Sequence, residues 1–411
     1  MIHGSKAPDG IPLKGSHTML YRKQILVTAL LLLLVACTPG EVVRVAQVAS
    51  TGDMASVGRL ATDKAMGYAT NPAKLNRDVK KFNRYFSALV EALTKAVTGQ
   101  WGAEDVKVPS RKKYVKYTQN YKSRALVDFD GGLVTVETVD TEQPAVSLKN
   151  AIVTTLLTPH DPRAVDLYTA KTVKLGATPF MLGEVKDHQG KDIRWAWRAE
   201  RFADHLIKTR LQTRTSQSGP KTITVHYVNI AMVKDHLHIR ARKYRSHVEM
   251  NAERYQVSKN LIFAVIKTES DFNPWAVSKA PAFGLMQIVP GSAGYDVNRF
   301  LNRPGLPSEK MLLNPAENIL YGSVFLHILD SQYLAAIRNR VSREYCVIAA
   351  YNTGAGNVLR TFDKNRDRAP DKINQLPPLE VYQTLKANLP YHETRRYLTK
   401  VMSAKKDFVN F

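Results

Sequence analysis

The spacing of apolar residues changes once along this chain, and that change limits the folds open to it more than any other feature. Ala125 to Val139 (ALVDFDGGLVTVETV) and Thr222 to Val233 (TITVHYVNIAMV) alternate apolar and polar residues, as half-buried strands do. Asp130-Gly131-Gly132 inside the first stretch reads as the turn of a hairpin. From His236 onward the pattern is helical, with strong signatures at residues 258 to 270, 315 to 330 and 342 to 351, punctuated by Gly and Pro in segments 281 to 307, 361 to 378 and 388 to 390. The first part also carries helix patterns. Val79, Phe82, Phe86, Val90, Leu93 and Val97 recur at three and four from Leu75, with Gly99 as a stop signal; Val146 to Leu157 reads as a second helix, and Trp195, Trp197 and Phe202 lie before a third that runs through Leu211. The expected fold class is α+β: an α+β domain over residues 75–235, then a mainly α-helical domain over 236–411. A length of 411 residues leaves room for two or three domains and a sizeable core.

Ahead of these lies a different kind of segment. Ile25 to Ala36 (ILVTALLLLLVA) is apolar or small throughout, follows Arg22 and Lys23, and ends at Cys37. It has the regions of an export signal and is too short to span a bilayer, which takes about 20 residues. Leu34-Val35-Ala36-Cys37 resembles a bacterial lipoprotein box, which implies cleavage before Cys37 and its acylation; the plainer alternative is a secretory signal with a chance cysteine. Residues 1–36 are read as signal peptide, with the true start at either Met1 or Met19, and residues 37–74 as lipidated cysteine plus tether. By similarity to lipoproteins of diderm bacteria, Thr38 after the cysteine implies the outer membrane, facing the periplasm.

The charge balance narrows the partners. Lys plus Arg exceed Asp plus Glu by 23, and removing residues 1–36 takes away four basic residues and one acid, leaving +20 on the mature chain. Such an excess attracts a polyanion. Export makes nucleic acid an unsuitable one and leaves a carboxylate-bearing wall polymer or anionic lipid. Lys112, Lys113, Lys116, Lys122 and Arg124, interleaved with Tyr114, Tyr117 and Tyr121, form either a glycan-binding strip or a solvated basic edge. Two cysteines, Cys37 and Cys346, give no disulfide framework or thiolate zinc site, and Cys346 on an apolar helix side reads as core. His236 and His238, two apart, point to different helix faces; no metal and no cofactor is expected.

One carboxylic acid sits where chemistry can use it. Ser258 is placed to cap a helix through Leu261, Ile262, Ala264, Val265 and Ile266 to Glu269-Ser270, before Asp271, Asn273 and Pro274 break the pattern. At about 100° per residue, with Ile262 as zero, Val265 lies at roughly −60°, Ile266 at +40° and Glu269 at −20°. A carboxyl in the middle of a greasy stripe is desolvated, which raises its pKa toward that of a working general acid. A purely structural glutamate is the alternative that this segment leaves open. Asp271 lies about 200° round from Glu269 and is a poor second carboxylate.

Glu269-Ser270, Gly284-Leu285-Met286-Gln287, Ala350-Tyr351-Asn352 with Gly354-Ala355-Gly356-Asn357, and Glu393-Thr394-Arg395-Arg396-Tyr397 occur in an order and spacing that resembles lytic murein transglycosylases of the soluble type. Tyr114 to Tyr121, Val165-Asp166-Leu167-Tyr168 and Phe202-Ala203-Asp204 look like the N-terminal domain of a membrane-bound member of that family. The resemblance implies a lysozyme-like catalytic domain of the goose-type class and a peptidoglycan lyase. Glu269 would be the single catalytic acid, with Ser270, Gln287, Asn352 and Tyr397 holding acid and sugar and Met286 and Tyr351 as apolar walls. Pro281, Phe283, Thr353 and Ala355 depart from the family pattern without removing any of these groups. The implied partners are peptidoglycan glycan strands, outer-membrane lipid through acylated Cys37, and other cell-wall enzymes; no nucleic acid is implied. A non-catalytic wall-binding lipoprotein and a hydrolytic muramidase on the same scaffold are the competing readings.

Overall fold

The computed structural model describes residues 72–411. The signal segment, Cys37 and most of the tether therefore lie outside the described residues, and the first described helix already covers residues 72–74 of the stretch read as tether. Helix α1 (Pro72–Trp101) runs through Gly99 and stops at Gly102, whose φ of +79° ends the helical path. A side chain there would also strike the Gln217 carbonyl, 1.8 Å from where a Cβ would sit. Gly99 has open space around it and costs the helix only propensity, so it fails as a stop.

Strands β1 (Lys113–Thr118), β2 (Ser123–Asp128) and β3 (Leu133–Thr138) form a meander; helices α2 (Pro144–Leu156) and α3 (Ala196–Arg210) follow, then β4 (Gln212–Ser218) and β5 (Lys221–Ala231). The five strands are antiparallel in the order β1-β2-β3-β5-β4, with Asp128 opposite Leu133 and Val134 opposite Ile230. The Asp130-Gly131-Gly132 hairpin forms as expected. Asp128 Oδ1 accepts from the backbone N–H groups of Asp130 and Gly131, and Gly132 takes φ +64°. Trp197 and Phe202 lie within α3 rather than before it.

Strand alternation sends the two sheet faces to different cores. Val127, Val134, Val136, Val228 and Ile230 pack with α2 and α3, while Val115, Tyr117 and Val225 pack with Leu93, Val97 and Trp101 of α1. The basic strip is split: Lys113 and Lys122 face solvent beside Asp128 and Asp140, whereas Lys116 and Arg124 turn inward. Lys116 is buried and donates to the Asp166 and Thr169 carbonyls. Arg124, fully buried under the Trp101 ring, pairs with Glu137 and Asp105, which Arg214 also binds. Residue type alone could not show this, because period 2 places Tyr114 and Lys116 on one face and Tyr117 with Val115 on the other.

The helical part comprises α4 (His236–Arg242), α5 (Arg245–Tyr255), α6 (Lys259–Ser270), α7 (Ala293–Phe300), α8 (Glu309–Leu312), α9 (Pro315–Ile328) continuing into a π turn at Leu329–Tyr333, α10 (Arg340–Thr353), α11 (Ala355–Phe362), α12 (Ala369–Gln375), α13 (Pro378–Asn388) and α14 (His392–Asp407). Nearly all of α6 is buried, against α5 and α14. Cys346 is buried in this core with its thiol pushed up to about 12 by burial. Among the described residues no helix is long and apolar enough to cross a membrane.

The cores do not stop at residue 235. Phe86 of α1 belongs to the helical core, where Phe82 and Phe86 meet the Phe283 ring edge-on at 5.8 and 5.7 Å. In the other direction Trp275 enters the sheet core, 5.0 Å from Tyr114 and 4.6 Å from Phe180, and donates to the Pro162 carbonyl. Arg240, fully buried, binds Glu184, the Phe129 carbonyl and the Asp271 carbonyl together.

Candidate active site

Helix α6 delivers Glu269 in its last turn and ends one residue later, because Asp271 adopts φ +50°. Ser258 stands at the N-cap, yet its hydroxyl binds the Asn260 side chain instead of a backbone N–H. The apolar stripe is as expected: Ile262, Val265 and Ile266 are fully buried, and Glu269 is 5% exposed. Burial pushes the Glu269 carboxyl up to about 7, against the opposing pull of the Tyr397 hydroxyl and the Arg111 charge and with a further push from Glu393. The Tyr397 hydroxyl is buried beside the acid and makes no other hydrogen bond among the described residues. Arg111 Nη1 lies 3.6 Å from Glu269 Oε2, and its Nη2 donates to Glu393 Oε1 at 3.2 Å.

The Gly-Leu-Met-Gln turn packs directly behind this helix end. Ser270 Oγ lies 2.7 Å from the Leu285 carbonyl and 3.0 Å from that of Ile266, so its hydroxyl fastens the turn to α6. Gly284 takes φ +73° and leaves no room for a Cβ, with Asn318 Nδ2 at 2.4 Å and the Leu312 carbonyl at 2.5 Å. Asn318 of α9, fully buried, accepts from the Met286 N–H and donates to the Phe283 and Leu312 carbonyls. Met286 is no wall of the groove: its side chain is buried against Gly322, where a Cβ would come within 2.1 Å of the sulfur. Gln287, at φ +49°, donates from Nε2 to the Ala276 and Gly284 carbonyls, and its Oε1 is buried with no partner.

Two grooves meet at Asn352 and Thr353. The larger, of about 920 Å³, is lined by Gln287, Val289, Tyr351, Asn352, Gly354 and Arg366 among others, and the smaller by Asn352, Thr353, Asn357 and Pro390 to Thr394. Glu269 lines neither and lies against Tyr351 and Tyr397, both phenols held well above their ordinary value by burial first and then by the nearby acid. Tyr351 donates its hydroxyl to the Met286 carbonyl at 2.9 Å and packs on Phe325. Thr394 Oγ1 donates to Asn352 Oδ1 at 2.7 Å, which leaves the Asn352 amide NH2 to serve the grooves. The structure thus gathers Glu269, Gln287, Tyr351, Asn352 and Tyr397 around one place, with Ser270 and Met286 supporting it from the protein side.

Residues that sequence reasoning missed come from both parts of the chain, with Arg111 and Lys112 reaching in from the sheet-bearing part. Asn273, fully buried, donates to the Arg111 carbonyl at 3.1 Å and lies 3.4 Å from that of Ser110. Lys112 pairs with Asp271 and Asp130, and Lys267 with Asp271 at 2.7 Å. Asp271 is therefore neutralised by two lysines, in keeping with the expectation that it is no second acid. Asn318, Gly322 and Thr394 had a signal only in their polarity or smallness on helical stripes, which does not name a partner.

Two family descriptions match the chain: "Membrane-bound lytic murein transglycosylase C, N-terminal domain" over residues 75–243 and "Transglycosylase SLT domain" over 246–374. Proteins named membrane-bound lytic murein transglycosylase C from Yersinia pestis (strain Pestoides F) and Yersinia pseudotuberculosis (serotype O:1b, strain IP 31758) are each 44% identical over 324 residues, covering 79% of this chain and 89% of theirs. Among solved structures, the 70 kDa soluble lytic transglycosylase of Escherichia coli is 26% identical with a TM-score of 0.33, over 41% of this chain and 24% of that one. The chain spans about a quarter of the length of that larger protein. With 44% identity across most of the length of such relatives, and both parts matched in order, the chain belongs to the membrane-bound lytic murein transglycosylase C family.

Proposed function

We propose that this protein cleaves the MurNAc-β-1,4-GlcNAc bond of peptidoglycan without water and that Glu269 is its single acid and base. Family membership supports the activity. The observation that carries the residue assignment is a carboxyl 5% exposed at the end of an apolar stripe and pushed up to about 7. Such a group is substantially protonated near neutral pH, as a general acid must be. Glu269 gives its proton to the glycosidic oxygen as the bond from the MurNAc anomeric carbon breaks. The ionised carboxylate then takes the proton of the MurNAc 6-hydroxyl while that oxygen bonds to the same carbon, giving a 1,6-anhydroMurNAc end. The proton passes from one sugar oxygen to the other through Glu269, and no water enters. A tethered hydroxyl competes well because its effective concentration is far above that of an external reactant. The substrate's own acetamido group takes the stabilising place of a second carboxylate, consistent with an Asp271 bound to Lys112 and Lys267.

In this reading Gln287, Asn352 and Tyr397 hold the acid and the sugar, Tyr351 is a wall, and Ser270 and Met286 brace the turn. Acylated Cys37, outside the described residues, would anchor the chain in the outer membrane facing the periplasm, and residues 75–235 would guide the glycan. A hydrolytic enzyme of the usual two-carboxylate kind would use a second acid; Glu393, the carboxylate that shares Arg111 with Glu269, is held in that ion pair. Purified sacculi test the assignment: wild type should release muropeptides with anhydro ends, and Glu269→Gln should bind sacculi and release none. Release by Glu269→Gln at a rate near wild type would overturn it.

A further inference from the structure

Arg111 belongs to the sheet-bearing part of the chain, in the loop between α1 and β1, yet its guanidinium spans two carboxylates of the helical part. Its stretch of chain is pinned to the helical part. Asn273 donates to the Arg111 carbonyl at 3.1 Å, and the next residue, Lys112, pairs with Asp271 at the end of α6. The Arg111 side chain is 43% exposed, but its guanidinium bridges two carboxylates from an anchored backbone, which distinguishes it from a loose surface pair that contributes little. Burial alone would keep Glu269 protonated, which suits the first half of the proposed reaction and opposes the second, when a carboxylate must persist in an apolar place until the sugar hydroxyl gives up its proton.

We propose that Arg111 is a positioning residue: shared between Glu269 and Glu393, it aims the acid and stabilises its ionised form between proton donation and proton return, making the sheet-bearing part a working component of the site. The inference rests on the reading of Glu269 as the acid. The groups facing Glu269 are Arg111 from the loop before β1, Glu393 and Tyr397 from α14, and Tyr351 from α10. Lys267 on its own helix, Asp271 and Lys112 form a separate ion cluster next to it. Of the facing groups, Arg111 draws the Glu269 carboxyl down and Glu393 pushes it up, so the two should act on the reaction with opposite sign.

The test is the pH profile of kcat/KM on sacculi for the full-length protein. The proton donor must be protonated, so the alkaline limb follows the Glu269 carboxyl. Arg111→Gln should move that limb to higher pH by about one unit, the low end for losing an opposite charge at this range. Glu393→Gln, at a side chain 63% exposed, should move the limb to lower pH, both by removing a repelling charge and by leaving Arg111 to Glu269 alone. Arg111→Lys should keep the wild-type limb. A limb unmoved in both the Arg111→Gln and Glu393→Gln enzymes, with activity lowered equally at every pH, overturns the inference while Glu269 stays essential. Turnover by Glu269→Gln would instead overturn the parent reading, and this one with it.

Discussion

At the scale of single residues, the site depends on a carboxyl that the fold stabilises poorly when charged. Unfolded Glu269 titrates near its ordinary 4.5, and folded Glu269 near 7. Between these values the folded chain keeps a proton that the unfolded chain has released, so stability falls as pH rises through the window and the loss is complete above it. The difference corresponds to about 3 kcal/mol at most. Glu269→Gln should therefore unfold at the same urea concentration as wild type at about pH 4 and be more stable by up to about 3 kcal/mol at about pH 8. Equal stability at both pH values would mean that Glu269 is not desolvated. Its place was legible in the sequence, because 100° steps along 258–270 are enough to set it among Ile262, Val265 and Ile266. Arg111 was not legible: nothing in a loop arginine says which of the chain's acids lies across a space that only the tertiary fold closes.

Among elements, the turn from Gly284 to Gln287 shows how little slack the site has. Asn318 ties the turn to α9 through the Met286 N–H and the Phe283 carbonyl and to α8 through the Leu312 carbonyl, and Met286 fills the space left by Gly322. Gly322→Ala should overpack this contact and lower stability by about 1–3 kcal/mol, read as a shift in urea midpoint, with a loss of kcat as Gln287 and Tyr351 are displaced. Activity and midpoint unchanged from wild type would show that the turn can yield. Helix and strand existence was largely legible, α6, α9, α10 and the β2–β3 hairpin included. Boundaries and partners were less so, for identifiable reasons: Gly99 stays helical where the path to Gly102 is open, and β4 (QTRTSQS) is too polar to show a hydrophobic period. The burial of Lys116 and Arg124 follows from acceptors that arrive from distant segments.

For the molecule as a whole, the sheet-bearing and helical parts share side chains instead of meeting at a flat boundary. Phe86 crosses one way, Trp275 the other, and Arg240 joins Phe129 and Glu184 to the end of α6. Calorimetry should show one cooperative transition, and Trp275→Ala should cost about 3–5 kcal/mol and weaken that cooperativity. Two well-separated transitions in wild type would contradict the interlock. The phenylalanine at 283, a departure from the family pattern when read in sequence, is the residue on which α1 docks, so the difference has a structural use that only the packed fold discloses.

The central claim, that one side chain moves a proton between two oxygens of the same glycan without water, is tested most directly by digesting sacculi in water enriched in heavy oxygen and weighing the released muropeptides. The account predicts MurNAc ends lighter by one water than lysozyme products and free of the label. Labelled reducing ends as the main product would contradict it.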